Sequence, residues 1–276
     1  MIPKLYAVCA ACVVLLFLYI SAVCGNEVME KREKGGYRCL TEYETERVAD
    51  KNAPAGIRNE YVIRIMEMPP EGASLVFYTL HQKVEISVDG ELVYRLRPSA
   101  LNPFGKTPGS NWNWIPVYRS DIGKEIKVTL IPAYENTVDI VPEFYFGSRI
   151  DIWGKLLMRS TVPFLLSAVA MMIGIGFIVF TLYNYQKKDV DKSLLLLGIF
   201  SLVIGLWKLS DMEAMVLVFP FSLPLAYLPF VMLLLAVVPF VLYVRELFST
   251  RDSKIWDIPC VASLAVILLS VVMQMF

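Results

Sequence analysis

Trp112 and Trp114 alternate with Asn111 and Asn113 in FGKTPGSNWNWIPV, the stretch from Phe104 to Val117. On an extended strand, residues two apart point to one side, so the two indoles share a face, opposite Asn111, Asn113, Ile115 and Val117. Such an aromatic platform can stack on the flat face of a sugar while the Asn amides exchange hydrogen bonds with its hydroxyls. The pair can equally be packing, because Trp buries a large area in any sandwich. Ile115 and Val117 imply that both faces of this strand are at least partly covered, which favours packing. His81 is the only histidine, and its titration near neutrality suits ligand binding or pH sensing. The more usual role for such a residue is a loop position with one backbone hydrogen bond. The candidate ligand-binding residues are therefore His81, Asn111, Trp112, Asn113 and Trp114.

Other chemistries are disfavoured. A lone histidine cannot join a His-based metal site with partners of its own kind, and Cys39 is the only cysteine of the polar region, so neither a metal nor a disulfide is expected there. Gly105, Gly109 and Lys106 lack the spacing and the strand-to-helix setting of a phosphate-binding loop, and with Pro103 and Pro108 they read as a specified turn. The polar region shows no paired carboxylates in a recognisable site and no nucleophile–His set. No catalytic residue and no cofactor is expected.

The chain that must position these residues has 276 residues, 56% of them hydrophobic, and a mean hydropathy of +0.54. That is too apolar for soluble domains alone. Its 26 basic and 26 acidic residues balance, so no global field recruits nucleic acid. Apolar runs at Leu5–Cys24, Thr161–Tyr185, Ser193–Leu209, Leu223–Val244 and Trp256–Phe276 are long enough, or nearly so, to cross a hydrocarbon core of about 30 Å. The expected organisation is a transmembrane anchor over 1–25, whose long apolar part favours it over a signal peptide cleaved near Gly25, an outer polar domain over 26–150, and transmembrane helices over 151–276, at 161–185, 193–209, 223–244 and 256–276.

Orientation follows from the short loops. Lys187, Lys188 and Lys192 in one, and Arg245, Arg251 and Lys254 in another, belong on the cytoplasmic side. Asp211 and Glu213 mark the loop between them as outer, which makes 26–150 extracellular in a cell membrane. Lys31, Arg32 and Lys34 point the other way, but long translocated domains are weakly governed by charge. Lys208, Asp211 and Glu213 read as solvated span ends, and Trp153, Trp207 and Trp256 as interfacial anchors. Four crossings after the outer domain would leave Phe276 at the outer face, so further spans are expected.

Within 26–150 the pattern is strand after strand. Tyr61–Met66, Leu75–Leu80, Val84–Val88, Glu91–Leu96, Glu125–Ile131 and Glu143–Gly147 are short, β-rich runs separated by turns at Met68–Gly72, Asp89-Gly90 and Asp121–Lys124. Asp-Gly between two alternating runs is a strong hairpin signal, because a type I′ turn needs positive φ at both central positions. The fold class expected is mixed: an antiparallel all-β sandwich joined to an α-helical transmembrane bundle.

Two segments carry a resemblance to a known family. HQKVEISVDGELVY and FGKTPGSNWNWIPV, followed by a Gly123–Val128 strand, resemble the hairpin and return strand of galactose-binding-like jelly rolls. With an anchor before and spans after, nearly the whole chain resembles the sensory half of clostridial seven-transmembrane receptors with diverse intracellular signalling modules, of the kind usually joined to a GGDEF diguanylate cyclase domain. The resemblance implies a jelly-roll ectodomain, a small-molecule or carbohydrate ligand, and a cytoplasmic output. Neither GGDEF, a kinase ATP site nor an HD-type cluster occurs in these residues, so enzymatic activity is not expected of this chain. The partners expected are the lipid bilayer, such a ligand and, as an open possibility, a second copy in a homodimer. The competing expectation is a non-signalling membrane protein whose sandwich holds a partner protein or wall polymer. For coupling, the link Gly147 to Lys155 is the expected lever.

Overall fold

Val84, Ile86 and Val88 alternate with polar residues up to Asp89-Gly90, where φ is +48° and +85°, and the chain returns through Glu91–Leu96 with Val88 opposite Glu91. Both turn residues are left-handed, as a two-residue type I′ connection requires. The computed structural model that contains this hairpin describes residues 37–69, 71–98, 107–185, 191–219, 222–247 and 257–275. The anchor expected at Leu5–Cys24, Phe104 to Lys106, Lys187, Lys188, Arg251, Lys254 and Trp256 lie outside the described residues.

Nine strands form two antiparallel sheets. They are β1 (Tyr37–Leu40), β2 (Glu44–Ala49), β3 (Ile57–Arg64), β4 (Ala73–Leu80), β5 (Gln82–Val88), β6 (Glu91–Leu96), β7 (Ser110–Pro116), β8 (Glu125–Pro132) and β9 (Phe144–Ser148). One sheet runs β1-β9-β4-β7 and the other β2-β3-β8-β5-β6. Between them lies a core that includes Tyr61, Ile63, Leu75, Phe77, Val84, Ile86, Ile126, Val128, Leu130, Phe144 and Phe146. Each member sits at an alternate position of its strand, so the pleat puts them all on the inner face.

The two outer faces differ. That of the five-stranded sheet is a lattice of charge: Glu60 takes Arg58 at 2.9 Å and Lys127 at 2.6 Å, while Glu85 takes Arg95 at 3.0 Å and Arg97 at 3.1 Å. The outer face of the four-stranded sheet is apolar, with Val76, Tyr145, Trp112 and Trp114 in one cluster. An apolar face must be covered, and here helices cover it.

Five α-helices follow among the described residues: α1 (Arg149–Tyr185), α2 (Lys192–Ser210), α3 (Glu213–Val218), α4 (Ser222–Leu247) and α5 (Asp257–Met275). Three of them are long and apolar enough to cross a membrane, over Arg149–Asn184, Lys192–Ser210 and Ala226–Leu247. α5 offers a shorter apolar stretch, Asp257–Ser270. The helix expected to begin at Thr161 begins twelve residues sooner, at Arg149, immediately after the last residue of β9. The polar residues Arg149, Asp151, Lys155 and Arg159 hide this extension from an apolar-run reading, but Ile152 and Leu156 recur one turn apart and bury against the sheet. The expected link Gly147 to Lys155 is thus strand end and helix start, with no loop between.

α1 and α2 meet through small residues. A Cβ on Gly174 would stand 2.7 Å from both the Gly198 carbonyl oxygen and the Leu202 nitrogen, and the Ser201 hydroxyl donates to the Ala170 carbonyl at 2.8 Å. In lipid, where burial of apolar surface drives little, such close backbone approach and interhelical hydrogen bonding are what join helices. Gly174→Leu is expected to part this pair and lower the melting temperature in detergent, at an overpacking cost of about 1–3 kcal/mol. Gly176→Leu, whose Cβ meets nothing within 4 Å, is the matched control. Equal melting of the two variants would contradict the packing described.

Candidate functional site

β7 pairs with β4 so that Trp112 lies opposite Tyr78 and Trp114 opposite Val76. Both indoles point outward from the sandwich, and the residue between them points in. Asn113 is fully buried, its amide donating to Thr79 Oγ1 at 2.9 Å and its carbonyl oxygen accepting from the Tyr94 hydroxyl at 3.1 Å. Its hydrogen-bonding capacity is spent inside the core. Asn111 donates to the Pro108 carbonyl at 3.0 Å, closing the turn that leads into β7. Face-sharing by the tryptophans is as the spacing requires; the two asparagines have structural partners of their own.

The indoles are half-buried under helices. Trp114 stacks on Trp153 of α1, with ring centroids 6.1 Å apart and planes 25° apart, and the Arg149 guanidinium lies 5.4 Å from the Trp114 ring. Trp112 leans on Tyr78 at 5.2 Å, and its indole N–H donates to the backbone carbonyl of Glu213 at 3.0 Å. The pair therefore joins the sandwich to α1 on one side and α3 on the other. Trp153, expected as an interfacial anchor, spends one ring face on Trp114.

Further along α1 the same seam turns polar. The Lys155 ammonium lies 4.4 Å from the Tyr145 ring centre and 4.8 Å from that of Tyr37. Arg159 meets Glu143 at 3.2 Å and the Tyr145 hydroxyl at 3.5 Å, and that hydroxyl donates to Glu143. The Tyr145 hydrogen bond, helped by Arg159, holds the Glu143 carboxyl below its ordinary range. Burial, with Glu143 adjacent, pushes the Tyr145 phenol up. Positions 149, 152, 153, 156 and 159 follow the helical period, with Lys155 flanking them, which is why one side of α1 makes these contacts.

His81 marks a second junction. Its backbone is left-handed, with φ of +54°, and its Nδ1 is 2.9 Å from Thr107 Oγ1. Its ring meets Tyr134 edge-on at 5.4 Å and lies 5.4 Å from the ring of Tyr227 on α4, while the hydroxyls of Tyr134 and Tyr227 are 3.2 Å apart. Burial lowers its pKa, so it is held neutral. Gln82 beside it donates to the Thr137 carbonyl at 2.9 Å, which fixes the segment carrying Tyr134. The His-Gln pair thus ties the sandwich to α4.

Between these junctions a cavity of about 130 Å³ opens, lined by Trp112, Leu156, Arg159, Pro163, Lys208 and Glu213 among others. Lys208 pairs with Asp211 at 3.1 Å at the exposed end of α2, as expected of a solvated span end. Glu213 departs from that expectation: burial holds its carboxyl above the ordinary range, opposed by nearby Arg159 and reinforced by Glu143 and Asp211. Burial is also the first cause raising the Tyr78 phenol to about 12. Sequence reasoning missed Glu213 and Arg159 as site residues because they are 54 positions apart and meet only when α1 and α3 close over Trp112.

His81, Asn111, Trp112, Asn113 and Trp114 are accordingly not one cluster. Trp112 alone lines the cavity; Trp114 is under α1, His81 under α4, Asn113 in the core and Asn111 in a turn. Among the described residues no group of three or more His, Cys, Asp and Glu is placed to hold a metal ion. No family model matches the chain, and neither a curated protein nor a solved structure matches it.

Proposed function

We propose that the chain is the membrane-bound sensory part of a signal-transduction protein. In this reading the sandwich faces outward, senses a small molecule or wall carbohydrate, and acts through the helices on a cytoplasmic module such as a diguanylate cyclase. The galactose-binding-like jelly roll and the receptor architecture come from the motifs HQKVEISVDGELVY and FGKTPGSNWNWIPV, on resemblance.

The observation that supports the reading best is the joint between β9 and α1. Ser148 ends a strand and Arg149 begins a helix that continues to Tyr185, and Ile152 and Leu156 are buried on the sheet. A flexible tether would dissipate any displacement of the sandwich, whereas a strand fused to a packed helix carries it into the membrane. A ligand then moves the helices by as much as it favours one arrangement of the joint over another. A protein that merely held a partner at the surface would have no use for so stiff a connection.

Reading the gene past Phe276 tests this. A cytoplasmic cyclase, kinase or comparable catalytic module is the expected continuation, and a stop codon directly after Phe276 would overturn the reading.

A further inference from the structure

The cavity under Trp112 holds charges whose binding capacity is not used up, and we propose that it takes a small α-amino acid, or an equally small zwitterion with one ammonium and one carboxylate. The inference deepens the sensor reading by naming its ligand class and rests on it for biological meaning, though binding itself does not depend on signalling.

Among the described residues the Glu213 carboxylate makes no ion pair and no side-chain hydrogen bond. The two neighbouring cations have other carboxylates: Arg159 meets Glu143, and Lys208 meets Asp211. A half-buried carboxylate with no hydrogen bond to its side chain gains when an ammonium arrives with its own donors. Burial raises the Glu213 carboxyl, opposed by nearby Arg159, so an added ammonium would favour its charged form.

The cations retain donors for the other end of such a ligand. Among the described residues Arg159 uses Nη1 on Glu143 and Tyr145, leaving other N–H groups of its five, and Lys208 meets Asp211 and lies 5.8 Å from the Trp207 ring centre, with donors to spare. Two cations with spare donors, lining one cavity with Glu213, complement a carboxylate and an ammonium a few bonds apart. A neutral sugar offers Glu213 hydroxyl donors but no counter-charge, a simple anion meets its repulsion, and a simple amine leaves the cationic side unused.

Size narrows the class. The cavity, about 130 Å³, has room for a small molecule of several heavy atoms. Glycine, alanine or serine suits a cavity of that size. Trp112, Leu156 and Pro163 supply apolar wall for a small side chain. Lys208, Glu213 and Arg159 come from α2, α3 and α1, and Trp112 from β7, so the ligand would clamp three helices to the sandwich at the point where the two parts meet.

The test is calorimetric titration of the purified full chain in lipid nanodiscs with glycine, L-alanine, L-serine and L-valine, and with propionate and ethylamine as half-ligands. At least one of the amino acids is expected to bind, and neither half-ligand is expected to match it. Glu213→Gln removes the charge while keeping shape, and is expected to weaken binding about tenfold or more, the loss of a charge-assisted hydrogen bond. Lys208→Gln, at an exposed ion pair, is the second variant and is expected to weaken binding in the same sense. Absence of binding by all four amino acids, equal binding of propionate or ethylamine, or unaltered affinity in both variants would each overturn the proposal. Amino-acid binding combined with a stop codon after Phe276 would leave the site standing and remove the sensor reading; the reverse result would do the opposite.

Discussion

Phe144→Ala is expected to cost the sandwich about 3–5 kcal/mol. The ring is fully buried and touches three others: Phe77 at 5.1 Å, Tyr43 at 5.3 Å and Tyr61 at 5.4 Å between centroids. Tyr43 and Tyr61 also meet each other edge-on at 5.8 Å, so one substitution opens a cavity at the centre of an aromatic cluster spanning both sheets. Each lost ring pair adds about 0.5–1.5 kcal/mol beyond area. Folded domains have only about 5–15 kcal/mol in total, so the variant should sit near its unfolding threshold. Phe144→Leu keeps most of the volume and is expected to lose much less. Urea unfolding of the full chain in nanodiscs, followed by β-sheet circular dichroism, measures both. A midpoint for Phe144→Ala equal to that of the parent chain would mean that the cluster is not where the sandwich is held together.

Much of this architecture was written in periodicity. Val84–Val88 and Glu91–Leu96 alternate, Asp89-Gly90 supplies two left-handed residues, and the hairpin follows from those facts alone. β1 and β2 escaped the same reading for physical reasons. β1 has four residues, and β2, Glu44–Ala49, is an edge strand with five of six residues exposed, so neither has an apolar face to reveal it. β2 is held by backbone pairing to β3, and its charges keep a free edge soluble. The early start of α1 was hidden because its first three turns are amphipathic rather than apolar. Their buried face has meaning only beside an apolar outer sheet face, and no local window contains both.

The candidate site divides along the same line. That Trp112 and Trp114 share a face is a property of one strand and was legible. What covers that face is a property of three helices and was not. The asparagines show the limit most sharply, since one alternation puts Asn113 in the core, where Thr79 and Tyr94 consume its amide, and leaves Asn111 for a turn. Glu213 carried no local signal at all. Beside Asp211 and Lys208 it reads as one more charge at a helix end, and it differs only because α3 turns it back toward Arg159 and Trp112.

Replacing Trp112 and Trp114 together by alanine is expected to undock the helices from the sandwich while leaving the sandwich folded. A fully buried Trp→Ala change costs about 3–5 kcal/mol, and these half-buried rings should lose about half of that each. The stack on Trp153 and the hydrogen bond to Glu213 disappear with them. The neighbours are close enough to share partners, so the two losses will not simply add. Hydrogen exchange separates docking from folding, because amides report the opening of their own segment. Exchange in residues 149–157 and 213–218 should quicken by about a hundredfold, the equivalent of about 3 kcal/mol at 1.4 kcal/mol per decade. Exchange in β4 and β8 should hold, since Leu75, Phe77, Val128 and Leu130 pack in the core between the two sheets, away from the tryptophans. Trp112→Phe with Trp114→Phe keeps most of the covering area and removes the indole N–H, so it should fall between parent and double alanine. If the first turns of α1 exchange no faster in the double alanine variant, the tryptophans do not fasten the two parts. If β4 and β8 quicken equally, they belong to the core after all, and the joint at Ser148 and Arg149 must be held by something else.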